Sequence, residues 1–188
     1  MLDIQKNVLI IDTETSGTNP YLHSLLSLAV VPLLDHRISG EEWFVFEPEI
    51  VVDPRSMSIH GIELKWLKEN GLDPLELCDR FEAYLESLDQ DNIVLAGHNI
   101  CFDIRFLKQL YHRLQRPWPS LLSHRSIDTH SLLWLYAQAG KLPQEACTSD
   151  GAFKHFSCAP PPELRHSALG DAVATKDLLL HLMQLTLV

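Results

Sequence analysis

No two cysteines in this sequence form a C-x-x-C pair; Cys78, Cys101, Cys147 and Cys158 are scattered and show no zinc spacing. That excludes a disulfide framework and a zinc ribbon, and the thiols read as reduced, cytosolic ones. Long apolar runs are missing too. The longest, residues 25–34, falls well short of the ~20 residues a bilayer demands and contains Pro32. No membrane span is expected. Residues 1–7 carry acidic and polar groups in place of an apolar leader, so the chain is expected to be cytoplasmic. Internal repeats and low-complexity linkers are absent as well.

Positive charge is scarce, with 15 Lys and Arg against 25 Asp and Glu, a formal net charge of −10 and a pI near 5.4. Such a balance does not suit a protein that grips long nucleic acid by counterion release. Lys108, Arg113, Arg116 and Arg125, with His112 and His124, form the one local basic cluster. It reads either as a guide for a phosphate backbone or as a solvated helix end. The remaining composition, 46% hydrophobic and 21% charged over 188 residues, suits one domain across residues 1–188 with a substantial core.

Against that background three short strings stand out. In VLIIDTETSG, residues 8–17, an apolar run ends in Asp12 with Glu14 two positions on. Residues i and i+2 of a strand share a face, so the two carboxylates converge. Alone, such a pair is usually a strand followed by a polar turn. Ionised carboxylates at the end of a buried strand are costly unless a cation pairs them. In LAGHNICFDIRFL, residues 95–107, Asp103 shares a helix face with Phe106, Leu107, Leu110 and Leu114. Helix capping is the simpler role for such an Asp, but capping residues usually face solvent. In residues 165–185, Asp171 lies with Ala168, Thr175, Leu178 and Leu182 on one face, and His166 precedes it by five positions at the helix start.

The elements around these strings are read from hydrophobic periodicity. Strands are expected at 8–12, 25–34 and 42–47, the three forming an antiparallel meander. A short helix within 58–70 closes at Gly71, and Asp73-Pro74 opens a helix burying Leu77, Phe81, Leu85 and Leu88. Strand 92–96, helix 102–114, strand 125–128 and helix 129–139 follow. A loop-rich segment at 140–165, with Pro143 and the Pro160-Pro161-Pro162 run, leads to the last helix and is expected to be mobile. The order predicts an α/β fold with a mixed five-stranded sheet flanked by helices.

D-x-E, then H-N-x-x-F-D, then H-x-x-x-x-D resembles the DEDDh 3′→5′ exonucleases of the DnaQ-like, RNase H-like fold. That family includes DNA polymerase III epsilon subunits, RNase T, oligoribonuclease and TREX enzymes. The match runs from about Val8 to Leu182, and SIDTHSLL at 126–133 is similar to the family's strand-to-helix segment. The resemblance implies two divalent ions, Mg²⁺ or Mn²⁺, held by Asp12, Glu14, Asp103 and Asp171, with Asp12 bridging them. It implies His166 as general base on the attacking water, a task imidazole side chains commonly perform. Single-stranded DNA or RNA 3′ ends are the implied substrate, and nucleoside 5′-monophosphates the product. Even with two ions bound the chain stays acidic, which favours holding a strand end over a few nucleotides.

Substrate contacts are expected from the backbone at Thr13 and Thr15, from Gly17, from His60 in SIHGI, from His98 and Asn99, and from Phe102. For Phe102 core packing is the competing role, and for Asn99 fixing the turn. DNA is slightly favoured over RNA, in proofreading or repair, with RNA end processing as the alternative. A non-catalytic nucleic-acid-binding module would lack a ligand, and all five residue types are present. A metal-free carboxylate hydrolase such as a glycosidase does not need the His166–Asp171 spacing. The chain ends directly after its last helix, so it reads as a free-standing exonuclease domain. Gln184-Leu185-Thr186-Leu187-Val188 is similar to a sliding-clamp pentapeptide without its terminal aromatic, which gives a weak clamp contact as a further expectation.

Overall fold

The computed structural model describes residues 7–34 and 39–185. Its centre is β1 (Val8–Thr15), with β2 (Leu25–Pro32) antiparallel on one side and β4 (Ile93–Gly97) parallel on the other. β3 (Glu41–Phe44) extends the sheet beyond β2, and β5 (Leu122–Asp128) lies parallel beyond β4, giving the order β3-β2-β1-β4-β5. This is the mixed five-stranded sheet expected from the sequence.

β1 outruns its parallel neighbour. Its register with β4 covers Val8 to Ile10, whereas its register with β2 continues to Thr15. Beyond Ile10 the register with β4 ends, because β4 turns at Gly97 into α4 (Cys101–Arg113). Asp12 and Glu14 sit on this overhang, at the carboxyl ends of parallel strands where α/β sheets form their crevices.

Both faces of the sheet are covered. Leu9 and Ile11 pack with α3 (Pro74–Ser87) and α4 through Phe81, Leu85, Phe106 and Leu110. Val8 and Ile10, alternating with them, face α7 (Ala168–Leu185) through Ala168, Ala172 and Leu179. Small residues on α7 let it lie close to the sheet. A third cluster joins α7 to α5 (Thr129–Gln138) and α6 (Ser149–His155) through Leu133, Phe153, Ala174 and Leu178.

Several elements depart from the sequence reading. β1 extends three residues past Asp12, since Thr13 and Thr15 are β-branched and still pair with β2. β2 stops at Pro32, and β3 at Phe44, after which Val45 makes a lone parallel bridge to Leu72. Two helices, α1 (Pro54–His60) and α2 (Leu64–Asn70), replace the single one expected, because Gly61 adopts a left-handed turn between them. The segment 140–165 is not an irregular loop. It holds α6 and short 3₁₀ turns at Gln144–Cys147 and Pro162–Leu164, and Leu142, Ala146, Ala152 and Phe153 anchor it. The expected basic cluster is also partly spent: Arg113 pairs with Glu47, and Arg116 with Asp79 and Glu82. Of the clamp-like pentapeptide, residues 186–188 lie outside the described residues. No described helix is long and apolar enough to cross a membrane.

Candidate active site

Strand alternation divides the end of β1 between two helices. Asp12 and Glu14 point to the α7 face, where Asp171 sits in the first turn of that helix. Carboxylate oxygens of Asp12, Glu14 and Asp171 all lie within 4.8 Å of one another. Thr13 points the opposite way, and its hydroxyl donates to Asp103 Oδ1 on α4 at 2.7 Å. Acids from two elements, β1 and α7, thus meet in the cleft, while Asp103 on α4 lies behind Thr13 and outside that cluster.

These carboxylates resist ionisation. Burial raises Asp12 well above the carboxylate range, and Asp103, Glu14 and Asp171 add to the effect while Arg165 opposes it. Glu14 is pushed up to about 8 by burial, then by Asp171, Glu42 and Asp103. Asp103 rises to about 7 through burial, against the hydrogen bond from Thr13. Burial raises Asp171 as well, and its Oδ1 is buried without a hydrogen-bond partner. Crowded acids, an orphaned oxygen and an all-oxygen donor set fit a hard divalent cation.

Arg165, which was not singled out from the sequence, reaches into this cluster. Its guanidinium donates to Asp171 Oδ2 and, at 2.7 Å, to Asp150 Oδ1 of α6, and it lies 5.6 Å from the Phe153 ring. Burial disfavours its charge, but the bonds to Asp150 and Asp171 hold its pKa above the ordinary value. Its position next to His166 was the available signal.

His166 occupies a left-handed backbone conformation, φ 64°, a placement that costs about 1–3 kcal/mol and persists only where its surroundings impose it. Two bonds do so: Ser167 N–H donates to the Leu164 carbonyl at 3.2 Å, and Asp171 N–H to the Ser167 carbonyl at 3.0 Å. Gly170 allows this strap to lie directly on α7, since a Cβ there would meet the Leu164 carbonyl oxygen at 2.1 Å. His166 borders the acid cleft of Asp12, Glu14, His98 and Asp171. It also borders a neighbouring cavity of about 440 Å³, whose wall includes Glu14, Phe44, His60, Ile62 and Trp66.

The other residues expected to contact substrate are placed unequally. His60 lines the cavity; its Nδ1 accepts from Ile62 N–H at 3.0 Å, and burial lowers its pKa. His98 lines the cleft with Nδ1 3.1 Å from Thr129 Oγ1, and burial next to His130 pulls its pKa down to about 4. Thr13 is taken up with Asp103, and the buried Thr15 hydroxyl donates to the Gly17 carbonyl at 2.7 Å. Gly17 is covered by the His23 ring, which a Cβ would meet at 2.5 Å, so its lack of a side chain serves packing. Asn99 fixes a turn at φ 61°, its N–H donating to Asp128 Oδ1 at 2.8 Å. Phe102 is half-buried against Phe106, ring centroids 4.9 Å apart. Phe44 and Trp66, edge to face at 5.0 Å, were not anticipated, because they come from β3 and α2 and no local motif joins them.

The sequence profile of the RNase T exonuclease family matches residues 9–179, and the chain belongs to that family. It is 28% identical over 111 residues to the DNA polymerase III epsilon subunit of Buchnera aphidicola, covering 56% of this chain and 44% of that protein. It is 27% identical over 106 residues to the 3′-5′ DNA exonuclease Cap18 of Escherichia coli, covering 54% and 55%. The chain thus spans about half the length of these curated relatives. Among solved structures, Escherichia coli exonuclease I in complex with a dT13 oligonucleotide superposes with a TM-score of 0.73 at 17% identity, over 94% of this chain and 40% of that one. The fold is therefore the RNase H-like exonuclease fold.

Proposed function

We propose that this member of the exonuclease family is a metal-dependent 3′→5′ exonuclease of the DEDDh type, acting on single-stranded ends with DNA ahead of RNA. The observation that carries the reading is the convergence of Asp12, Glu14 and Asp171 oxygens within 4.8 Å, with Asp103 tied in behind Thr13 and His166 at the rim. Asp12, Glu14, Asp103 and Asp171 would hold the divalent ions, Mg²⁺ or Mn²⁺. When bound, these ions supply Lewis-acid polarisation and charge neutralisation at a phosphodiester.

The chain's own residues do the remaining work. His166, half-exposed between cleft and cavity, takes the proton of the attacking water. Water oxygen forms the new bond to phosphorus, the bond to the 3′-oxygen of the preceding nucleotide breaks, and that oxygen takes a proton from solvent. A nucleoside 5′-monophosphate and a shortened 3′-hydroxyl end result. The cavity beside Glu14 receives the terminal nucleoside, with Trp66 and Phe44 against its base and His60 beside the sugar. An aromatic ring face in that wall suits an unpaired base, which supports single strands over duplex. DNA is placed first because two of the similar proteins carry DNA in their names. The scattered thiols support a cytoplasmic setting.

The test is incubation with 3′- and 5′-labelled single strands of DNA and RNA, with Mg²⁺ or Mn²⁺, beside Asp12→Ala and His166→Ala. Wild type should release labelled monophosphate from 3′ ends, fastest from DNA. A chelator and either substitution should abolish the release. Release from 5′ ends, or undiminished activity in Asp12→Ala, sinks the reading.

A further inference from the structure

A second concavity of about 740 Å³ lies on the α4 side of the β1–β2 connection, lined by Thr18, Asn19, Pro20, Tyr21, Arg105, Lys108, Gln109 and His112. We infer that this groove carries the single strand upstream of the scissile nucleotide, through phosphate contacts to Arg105 and Lys108 and base stacking on Tyr21. The inference rests on the exonuclease reading and extends it to a surface outside the cleft.

Its chemistry differs from that of the other concavities. No carboxylate lines it, whereas the cavity beside Glu14 also contains Glu42 and Glu63, and two others contain Glu82, Glu86, Asp89 or Asp91. On a chain of net charge −10, a carboxylate-free basic groove is where a polyanion meets least repulsion.

Helix periodicity builds the groove. Positions 105, 108, 109 and 112 follow the i, i+3, i+4, i+7 rule, so they form one exposed face of α4. The opposite face, with Asp103, Phe106, Leu107 and Leu110, is buried. Arg105 makes no ion pair with any described residue, unlike Arg113 and Arg116 on the adjoining turn. Lys108 likewise makes no ion pair with any described residue, its Nζ lying over the Trp118 ring at 5.4 Å. From Arg105 to His112 the helix rises about 10 Å, the length of about two or three nucleotides. Asp103 lies within the same turn of α4 as Arg105 but on its buried face, so the track starts about one helix width from that acid.

The opposite wall is a hydrogen-bonded turn. Asn19 Oδ1 accepts from Tyr21 N–H at 3.0 Å, and the Asn19 carbonyl accepts from His23 N–H at 2.8 Å. That turn presents Tyr21 with 81% of its surface exposed. An aromatic so exposed, opposite two cations, is the pairing that single-strand binding uses.

Fluorescein-labelled dT12 binding, followed by anisotropy in EDTA across a salt series, tests the surface without turnover. Arg105→Glu/Lys108→Glu should weaken binding at least tenfold, and losing two phosphate contacts should flatten the log–log salt slope by about 1.4. Tyr21→Ala should weaken it about five- to hundredfold. Lys68→Glu/Lys141→Glu changes net charge equally on other surfaces and should stay within twofold of wild type. Equal losses in the two double variants, an unchanged slope, or no binding by wild type overturns the inference. If wild type binds as described yet releases no nucleotide with Mg²⁺, the groove stands and the nuclease reading falls.

Discussion

The Arg165 guanidinium donates to Asp171 Oδ2 while its other edge is held by Asp150. An arginine thus sits as resident counter-ion on an acid of the cluster that a divalent cation would neutralise. The arrangement relieves repulsion among Asp12, Glu14 and Asp171 when no metal is bound. It also places a positive charge where an incoming cation meets it.

Replacing Arg165 with Ala should therefore act oppositely on stability and on affinity. Metal-free protein should lose about 1–3 kcal/mol, the value of a charge-assisted hydrogen bond to a partly buried carboxylate. Mn²⁺ should bind on the order of tenfold more tightly, as expected for about 1.4 kcal/mol of repulsion removed. Calorimetric titration with Mn²⁺, paired with thermal melts in EDTA, measures both. Weaker Mn²⁺ binding by the variant would show that Arg165 helps build the site rather than competing for it.

Glu14 gives a pH signature. Its folded-state pKa, about 8, lies above the ordinary 4.5, so the folded protein holds this proton more tightly than the unfolded chain does. In the metal-free protein, ionising Glu14 carries no penalty below about pH 4.5; the penalty grows as pH rises and is complete above about 8. Glu14→Gln removes it. The variant's Tm in EDTA should equal that of wild type near pH 5 and exceed it increasingly towards pH 8. With Mn²⁺ present the order should invert, because Gln is the poorer ligand. A constant Tm difference between pH 5 and pH 8 in EDTA would contradict the assignment.

Strand and helix periodicity made the sheet and its acids legible, because Asp12 and Glu14 interrupt an apolar run and Asp103 interrupts an apolar helix face. The 140–165 segment was not legible. α6 has seven residues and is flanked by prolines, so its order comes from Ala152 and Phe153 packing on α5 and α7 rather than from local propensity. Arg165 was hidden for a similar reason, since its partners Asp150 and Asp171 meet only through that packing. The Trp66–Phe44 wall depends on α2 lying over β3. Contacts of that range leave no mark at helical or strand spacing.

Gly170 tests whether the strap through Leu164 sets His166. A methyl group at this position would meet the Leu164 carbonyl oxygen at 2.1 Å, and since that atom is backbone the strap must move. Gly170→Ala should cost about 1–3 kcal/mol of stability, as overpacking does. If His166 is the proton acceptor, its displacement by about 1 Å should lower kcat on the order of 10²-fold. KM for a DNA oligonucleotide should stay within a few-fold, because the cavity wall from α2 and β3 is untouched. If kcat stays within twofold of wild type, His166 is positioned by something other than this strap.

Trp66 offers the complementary split between binding and turnover. It is 44% exposed, so part of its ring is open to a ligand. It braces edge-on against Phe44 and shares the cavity with Glu14 and His166. If the terminal base stacks there, the contact exists before and during phosphodiester cleavage alike. Trp66→Ala should then raise KM for single-stranded DNA about five- to hundredfold, the range for loss of one stacking surface, with kcat nearly unchanged. Trp66→Phe should recover most of the loss, since a smaller flat ring still offers a face. A fall in kcat at constant KM would place the terminal base elsewhere and leave the indole as a brace for α2.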